Sequence, residues 1–149
     1  MLVKTVIVTL LLAMPAAGSP SRFSAEAQLK PTGCSPKIVG TKVELRGCLA
    51  TAPTTGTLHG RLSLRYAADA DIARGSGTQH GTLILSSANG KDELSATFTG
   101  VVSVASGVSR GRWVATTRSG VFLHLVGRSG SYVSRTPDQG VHVTFDVHA

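Results

Sequence analysis

Gln79-His80-Gly81-Thr82-Leu83-Ile84-Leu85-Ser86-Ser87-Ala88-Asn89-Gly90-Lys91-Asp92-Glu93-Leu94-Ser95-Ala96-Thr97-Phe98-Thr99-Gly100 is the stretch whose reading decides the fold class. Asn89-Gly90 is a two-residue hairpin dipeptide, because both central residues of a type I′ turn take positive φ, which Gly and Asn tolerate best. The turn folds run 79–87 back on run 93–105, where Leu94, Ala96, Phe98, Val102 and Val104 share one face. Apolar residues in alternation have the period of a half-buried strand.

The same rhythm continues outward from this hairpin, with turn residues every 8–12 positions or so. Toward the N-terminus, 42–51 sets Val43, Leu45 and Leu49 on one face. Run 57–68 sets Leu58, Leu62, Leu64 and Tyr66 against His59, Arg61, Ser63 and Arg65. Toward the C-terminus, 110–117 carries the only tryptophan, Trp113, and 121–126 is apolar on both faces. A short run follows at 131–135, and 141–148 alternates Val141, Val143, Phe145 and Val147 with His142, Thr144, Asp146 and His148. No stretch has the helical period. Eight strands in meander order predict an all-β domain: a single antiparallel, eight-stranded up-and-down β-barrel, with a β-sandwich as the alternative. Closure removes exposed sheet edges, and a barrel of this size is either filled by side chains or holds one small ligand.

Met1-Leu2-Val3-Lys4 followed by the uncharged, apolar Thr5 to Ala17 has the layout of a secretory signal peptide. The run is too short to span a bilayer core of ~30 Å, and no transmembrane segment is expected later in the chain. Ala25-Glu26-Ala27 is the cleaner cleavage pattern and gives a leader over 1–27; Ala16-Ala17-Gly18 offers an alternative cut after 18. The expected product is secreted or periplasmic, with an N-terminal extension over 28–40 and a barrel domain over 41–149. Of the seventeen glycines, sixteen follow Gly18. They punctuate strand-like runs instead of forming tracts.

Cys34 and Cys48 are the only cysteines. In an oxidising compartment an even pair reads as a disulfide tying the extension to the barrel, and the short spacing and second ligand pair of a zinc site are absent. No metal and no cofactor are expected. Cys48 alternates with Leu45 and Leu49, so the extension is expected to cross the outside of the first strand. Losing Lys4, Arg22 and Glu26 with the leader takes the net charge from +7 to +6. The basic residues are scattered singly and in pairs, without the run of a nucleic-acid arm.

One catalytic-looking pattern fails on context. Gly107-Val108-Ser109-Arg110-Gly111 matches G-x-S-x-G, but that motif needs a strand-to-helix elbow, and a strand follows here. No catalytic residue is therefore assigned. His124, flanked on its own face by Phe122 and Val126, reads either as a hydrogen-bonded core histidine or as a polar group in a ligand cavity that Phe122 and Trp113 line. Arg61 with Arg65, and Arg110 with Arg112, share strand faces; they either solvate an outer surface or bind anions such as sulfate, phosphate or carboxylate. His59 and His80 read as solvated. His142 and His148 stand about 20 Å apart along a strand and cannot share one ion, whereas Asp146 and His148 are near enough to pair. After the leader only Trp113, Tyr66, Tyr132, Phe98, Phe122 and Phe145 are aromatic. That is too few for the stacking platforms of specific nucleic-acid binding, and the core is expected to be mostly Leu and Val.

Gly111-Arg112-Trp113, Ser119-Gly120 and Leu125-Val126-Gly127-Arg128-Ser129-Gly130-Ser131-Tyr132 together resemble the glycine-punctuated hairpins of allene oxide cyclase- and dirigent-like barrels. The resemblance covers about thirty residues. It implies an eight-stranded barrel with an internal cavity, in a family holding both cyclases and coupling-directing proteins without catalytic residues of their own. No catalytic position of that family can be matched here. Three functional expectations follow: non-catalytic binding of a small, largely apolar ligand inside the barrel; a cyclase or isomerase using the same cavity; or binding of an anionic envelope polymer by the basic outer face.

Overall fold

The computed structural model describes residues 23–125, 128–136 and 143–148. Nine strands follow one another: β1 (Ser24–Leu29), β2 (Ser35–Val39), β3 (Lys42–Gly56), β4 (Gly60–Asp71), β5 (Ser76–Ser87), β6 (Glu93–Ser103), β7 (Val108–Arg118), β8 (Ser129–Arg135) and β9 (Val143–His148). A single helical turn, α1 (Phe122–Leu125), stands between β7 and β8. Each strand from β3 to β9 pairs antiparallel with the next, and β1 closes the ring between β9 and the end of β3. The result is a closed eight-stranded antiparallel barrel. β2 is an additional strand that prolongs the line of β1 along the first residues of β3.

Stepping from partner to partner, Val43, Ala70, Gly77, Val102, Ser109, Ser134, Phe145 and Ala27 lead back to β3 at Thr54, eleven residues beyond the start. This stagger tilts the strands strongly, as closure of eight strands requires. The β5–β6 hairpin forms at Asn89-Gly90, but as a five-residue connection and not the expected two-residue turn: the Gly90 N–H donates to the Ser87 carbonyl, which makes Ala88 and Asn89 the central pair, and Gly90 follows at φ 71°.

Three expectations are corrected. Run 121–126 does not form a strand over its described residues, 121–125: Phe122 and Leu123 donate to the Ser119 and Gly120 carbonyls, and Gly120 at φ 54° turns the chain into α1. The eighth barrel strand is instead β1, which lies where the sequence suggested a leader. Second, Leu49 faces out, 42% exposed, while Cys48, Ala50, Ala52 and Thr54 face in. A register shift between Leu45 and Cys48, with Gly47 at φ 67°, reverses which alternate residue points inward. Cys34 is bonded to this inward Cys48 from the edge of the sheet and does not cross over the first strand. Third, the core is not mostly Leu and Val: beside the buried leucines it holds the rings of Phe23, Phe98, Trp113, Phe122, Tyr132 and Phe145 and several alanines, and Val147 is the buried valine among the described residues.

Candidate functional site

The barrel's middle is filled by rings that lie on glycines. Gly111 and Gly130 alternate with Trp113 and Tyr132, and the β7–β8 register sets Gly111 opposite Tyr132 and Trp113 opposite Gly130. Each bare backbone leaves room for the ring across from it. A Cβ on Gly111 would stand 2.6 Å from Tyr132 Cε1, and one on Gly130 would stand 2.6 Å from Trp113 Cζ2. The indole thus crosses β8 and donates Nε1–H to the His148 carbonyl on β9 at 3.0 Å. The phenol crosses β7 in the opposite direction and passes over Gly100, whose Cβ would collide with its hydroxyl. It donates to Gln79 Oε1 on β5 at 3.3 Å.

Tyr132 also stacks on Phe145 at 4.9 Å, and Phe98 meets both edge-on at 5.0 and 5.6 Å. A side chain bordering a water-sized void would expose area to it, but Trp113, Phe145, Leu62, Leu83, Leu85 and Leu94 expose none. The waist is packed. The G-x-W and G-x-Y elements of the family resemblance are therefore, in this chain, a packing device.

One end of the barrel is sealed. Phe23 and Phe122 meet edge to face at 6.3 Å over the ends of the strands, and Leu58 is buried beside them. The Thr54 hydroxyl fixes the Leu58 loop by donating to the Leu58 carbonyl at 2.9 Å and accepting from the Gly60 N–H at 2.9 Å. Asp92 accepts from the Val121 N–H at 3.2 Å and so anchors the segment that carries Phe122.

The opposite end differs. Val43, Leu45, Ala68, Ala70 and Val102 share the inward face of β3, β4 and β6 yet remain half-buried. Between hydrogen-bonded strands, an inward side chain reaches solvent through the barrel's mouth. Below them lie Tyr66, half-buried, and the buried Gln79, Ser109, Ser134 and Tyr132. Burial pushes the Tyr132 hydroxyl up to about 12 and raises that of Tyr66, because a phenolate there would lose hydration. Both remain neutral O–H groups at ordinary pH. The Tyr66 hydroxyl has no hydrogen-bond partner among the described residues.

The residues singled out from sequence are dispersed. Trp113 lies in the waist with its polar atom satisfied, and Phe122 seals the closed end. The backbone of His124 belongs to α1, and its side chain lies outside the described residues, as does His142. Arg61 and Arg65 are exposed on β4, Arg110 and Arg112 on β7, three strands away. Asp146 pairs with Arg135 at 3.0 Å. Cys34 and Cys48 are joined. Tyr66, Gln79 and the half-buried rim escaped sequence reasoning. The signal that could have found Gln79 is a polar residue in step with the inward Leu83 and Leu85.

Among the described residues, no three His, Cys, Asp or Glu side chains are grouped to hold a metal ion, and no helix is long and apolar enough to cross a membrane. No protein-family model matches the chain, and a search of curated proteins returns no significant match.

Proposed function

We propose that this is an exported, non-catalytic binding barrel that takes a small, largely apolar ligand through its open end. The observation that carries this reading is the half-burial of inward-facing Leu45, Ala68 and Val102 above a packed waist. Apolar side chains left partly wet inside a concave wall gain by covering, and a few convergent polar groups orient what covers them. Tyr66 would supply the free hydroxyl, and Gln79 the rim of the polar floor. The ligand would sit above Tyr132, not around Trp113. The resemblance to cyclase- and dirigent-like barrels is compatible with such a site.

Export is part of the same proposal, and β1 bears on where the leader ends. A cut after Ala27 would detach Ala25 and Ala27, which are buried and pair with Val147, Phe145 and Thr54. We therefore place the cut after Gly18, which keeps Phe23 and β1 in the mature protein. N-terminal sequencing of exported protein should begin at Ser19; a start at Gln28 would defeat this placement.

Native mass spectrometry of the oxidised, exported protein tests the ligand. A small molecule seen in native but not denaturing spectra should be present in the wild type and lost in Ala68→Trp, which fills the mouth. A bare wild-type mass, with no binding of an apolar dye such as anilinonaphthalene sulfonate, would reject the reading.

A further inference from the structure

Seven arginines of the described barrel fall into two sets. Arg46 pairs with Asp69 at 2.7 Å and Glu44 at 3.6 Å, Arg74 with Asp71 at 3.7 Å, and Arg135 with Asp146 at 3.0 Å. Arg65, Arg110 and Arg112 make no ion pair among the described residues, and Arg61 reaches only the Thr51 hydroxyl, at 3.4 Å. The second set lies on the outer surface of β4–β7. Pairing places Arg65 beside Thr82, then Thr97, then Val114; the neighbouring row runs Ala67, His80, Thr99, Arg112; the next runs Asp69, Thr78, Val101, Arg110. Every residue of these rows except Ala67 and Asp69 is exposed. β5 and β7 contain no acidic residue, β6 has only Glu93 at its first position, and the one carboxylate within the rows, Asp69, is already paired with Arg46. Strands ~4.8 Å apart make this a face about 14 Å wide from β4 to β7.

We infer that this face binds a linear anionic polysaccharide, with Arg65, Arg110 and Arg112 meeting its sulfate or carboxylate groups and the Thr78, Thr82, Thr97 and Thr99 hydroxyls meeting its sugar hydroxyls. Three observations favour this polymer. Guanidinium groups without internal partners are available for planar recognition of such anions. Threonines held in register on a sheet offer donors and acceptors at fixed spacing. All seven aromatic residues, Phe23, Tyr66, Phe98, Trp113, Phe122, Tyr132 and Phe145, point inward, so the face has no platform on which nucleobases could stack. The face meets the mouth at the rim, where Thr78 and Val101 line one groove with Val43 and Ala70, but Arg65, Arg110 and Arg112 lie outside that groove, so changing them tests the polysaccharide independently of the ligand of the proposed function.

The test is retention of the exported protein on immobilised heparin across a salt gradient. Arg65→Ser/Arg110→Ser/Arg112→Ser is compared with Arg46→Ser/Arg74→Ser/Arg135→Ser, which removes the same three charges from ion-paired positions. Thermal unfolding first establishes that both variants are folded. Loss of the β4–β7 set should flatten the dependence of log affinity on log salt by about 2–3, at roughly 0.7–0.9 per lost contact. The ion-paired set should change it far less. Equal losses in the two variants would mean that net charge alone is read, and would overturn the inference. Displacement by single-stranded DNA at lower concentration than by free heparin would overturn it too.

Discussion

At the end where β1 begins, Phe23, Leu58 and Phe122 close over the strands; at the other, Leu45, Ala68 and Val102 point into the same barrel and stay half-buried. The strand walls at the two ends are built alike, from alternating residues and glycine turns. The difference comes from the connections. The β7–β8 connection brings an aromatic residue back over the sealed end on a helical turn, and the chain entering β1 brings a second. At the open end the described turns, Ile72–Gly75 and Val104–Gly107, are tight. Asp71 holds the first by accepting from the N–H groups of Ala73 and Arg74 and from the Thr41 hydroxyl. Those bonds hold its carboxyl below the usual carboxylate range. Strand pattern therefore sets the barrel, while a handful of residues outside the strands decides which end is sealed among the described residues.

The largest effect expected from this contrast is at Phe122. Phe122→Ala removes a fully buried ring that packs on Phe23, and should destabilise the barrel by about 3–5 kcal/mol in urea unfolding. A loss below about 1 kcal/mol would mean that the aromatic stopper is dispensable and that the two ends are not distinct in the way described.

Next is the disulfide, which fastens the edge of the sheet near the open end. Cys34→Ser with Cys48→Ser frees a loop closed over a separation of 14 residues. It should cost roughly 3 kcal/mol through the unfolded chain, plus whatever the inward position of Cys48 adds. The same variant should leave the Phe23–Phe122 end intact, which hydrogen exchange of the Val121 and Gly60 amides would report. Faster exchange there, with the barrel still folded, would mean that the two ends are coupled.

Much of the wall was legible in the sequence, and the connections were not. Period-2 alternation located the strands from β3 to β9 because burial on one face forces it, and Asn89-Gly90 marked the place of the hairpin, though not its length, because Gly90 takes the positive φ that glycine accepts best. The count of eight was reached with one wrong member, however. Val121 to Val126 lacks alternation, and a run apolar on both faces serves a plug as well as a buried strand. β1 was hidden by Ala25-Glu26-Ala27, where small residues that suit a signal peptidase also suit close packing against β9. The inversion at Leu49 was hidden because a one-residue bulge leaves no mark in an apolar pattern except a glycine, Gly47. The mouth was invisible for a further reason: Leu45, Ala68 and Val102 read like any core residues, and only their half-burial, with no cover among the described residues, distinguishes them.

A pH titration sharpens the contrast between floor and mouth. The native Tyr132 hydroxyl ionises only near 12 because it is buried, whereas in the unfolded chain it ionises near 10. The native state therefore holds its proton longer, so this contribution to stability is complete below pH ~10 and is lost as pH rises toward 12. Absorbance at 295 nm should show Tyr132 ionising together with unfolding. Two tyrosines titrating near pH 10 in a folded barrel would contradict the packed floor.

The smallest effect on stability is expected at Val102. Half-buried at the mouth, it gives up little packing when shortened, and Val102→Ala should cost about 0.5–1 kcal/mol, well below Phe122→Ala. If the mouth is where the ligand sits, the same change should weaken retention of the co-purifying molecule even though the fold barely responds. If Val102→Ala instead destabilises the barrel as much as Phe122→Ala does, the residue belongs to a closed core. The open end would then be a second seal, and the two ends of the molecule would be equivalent.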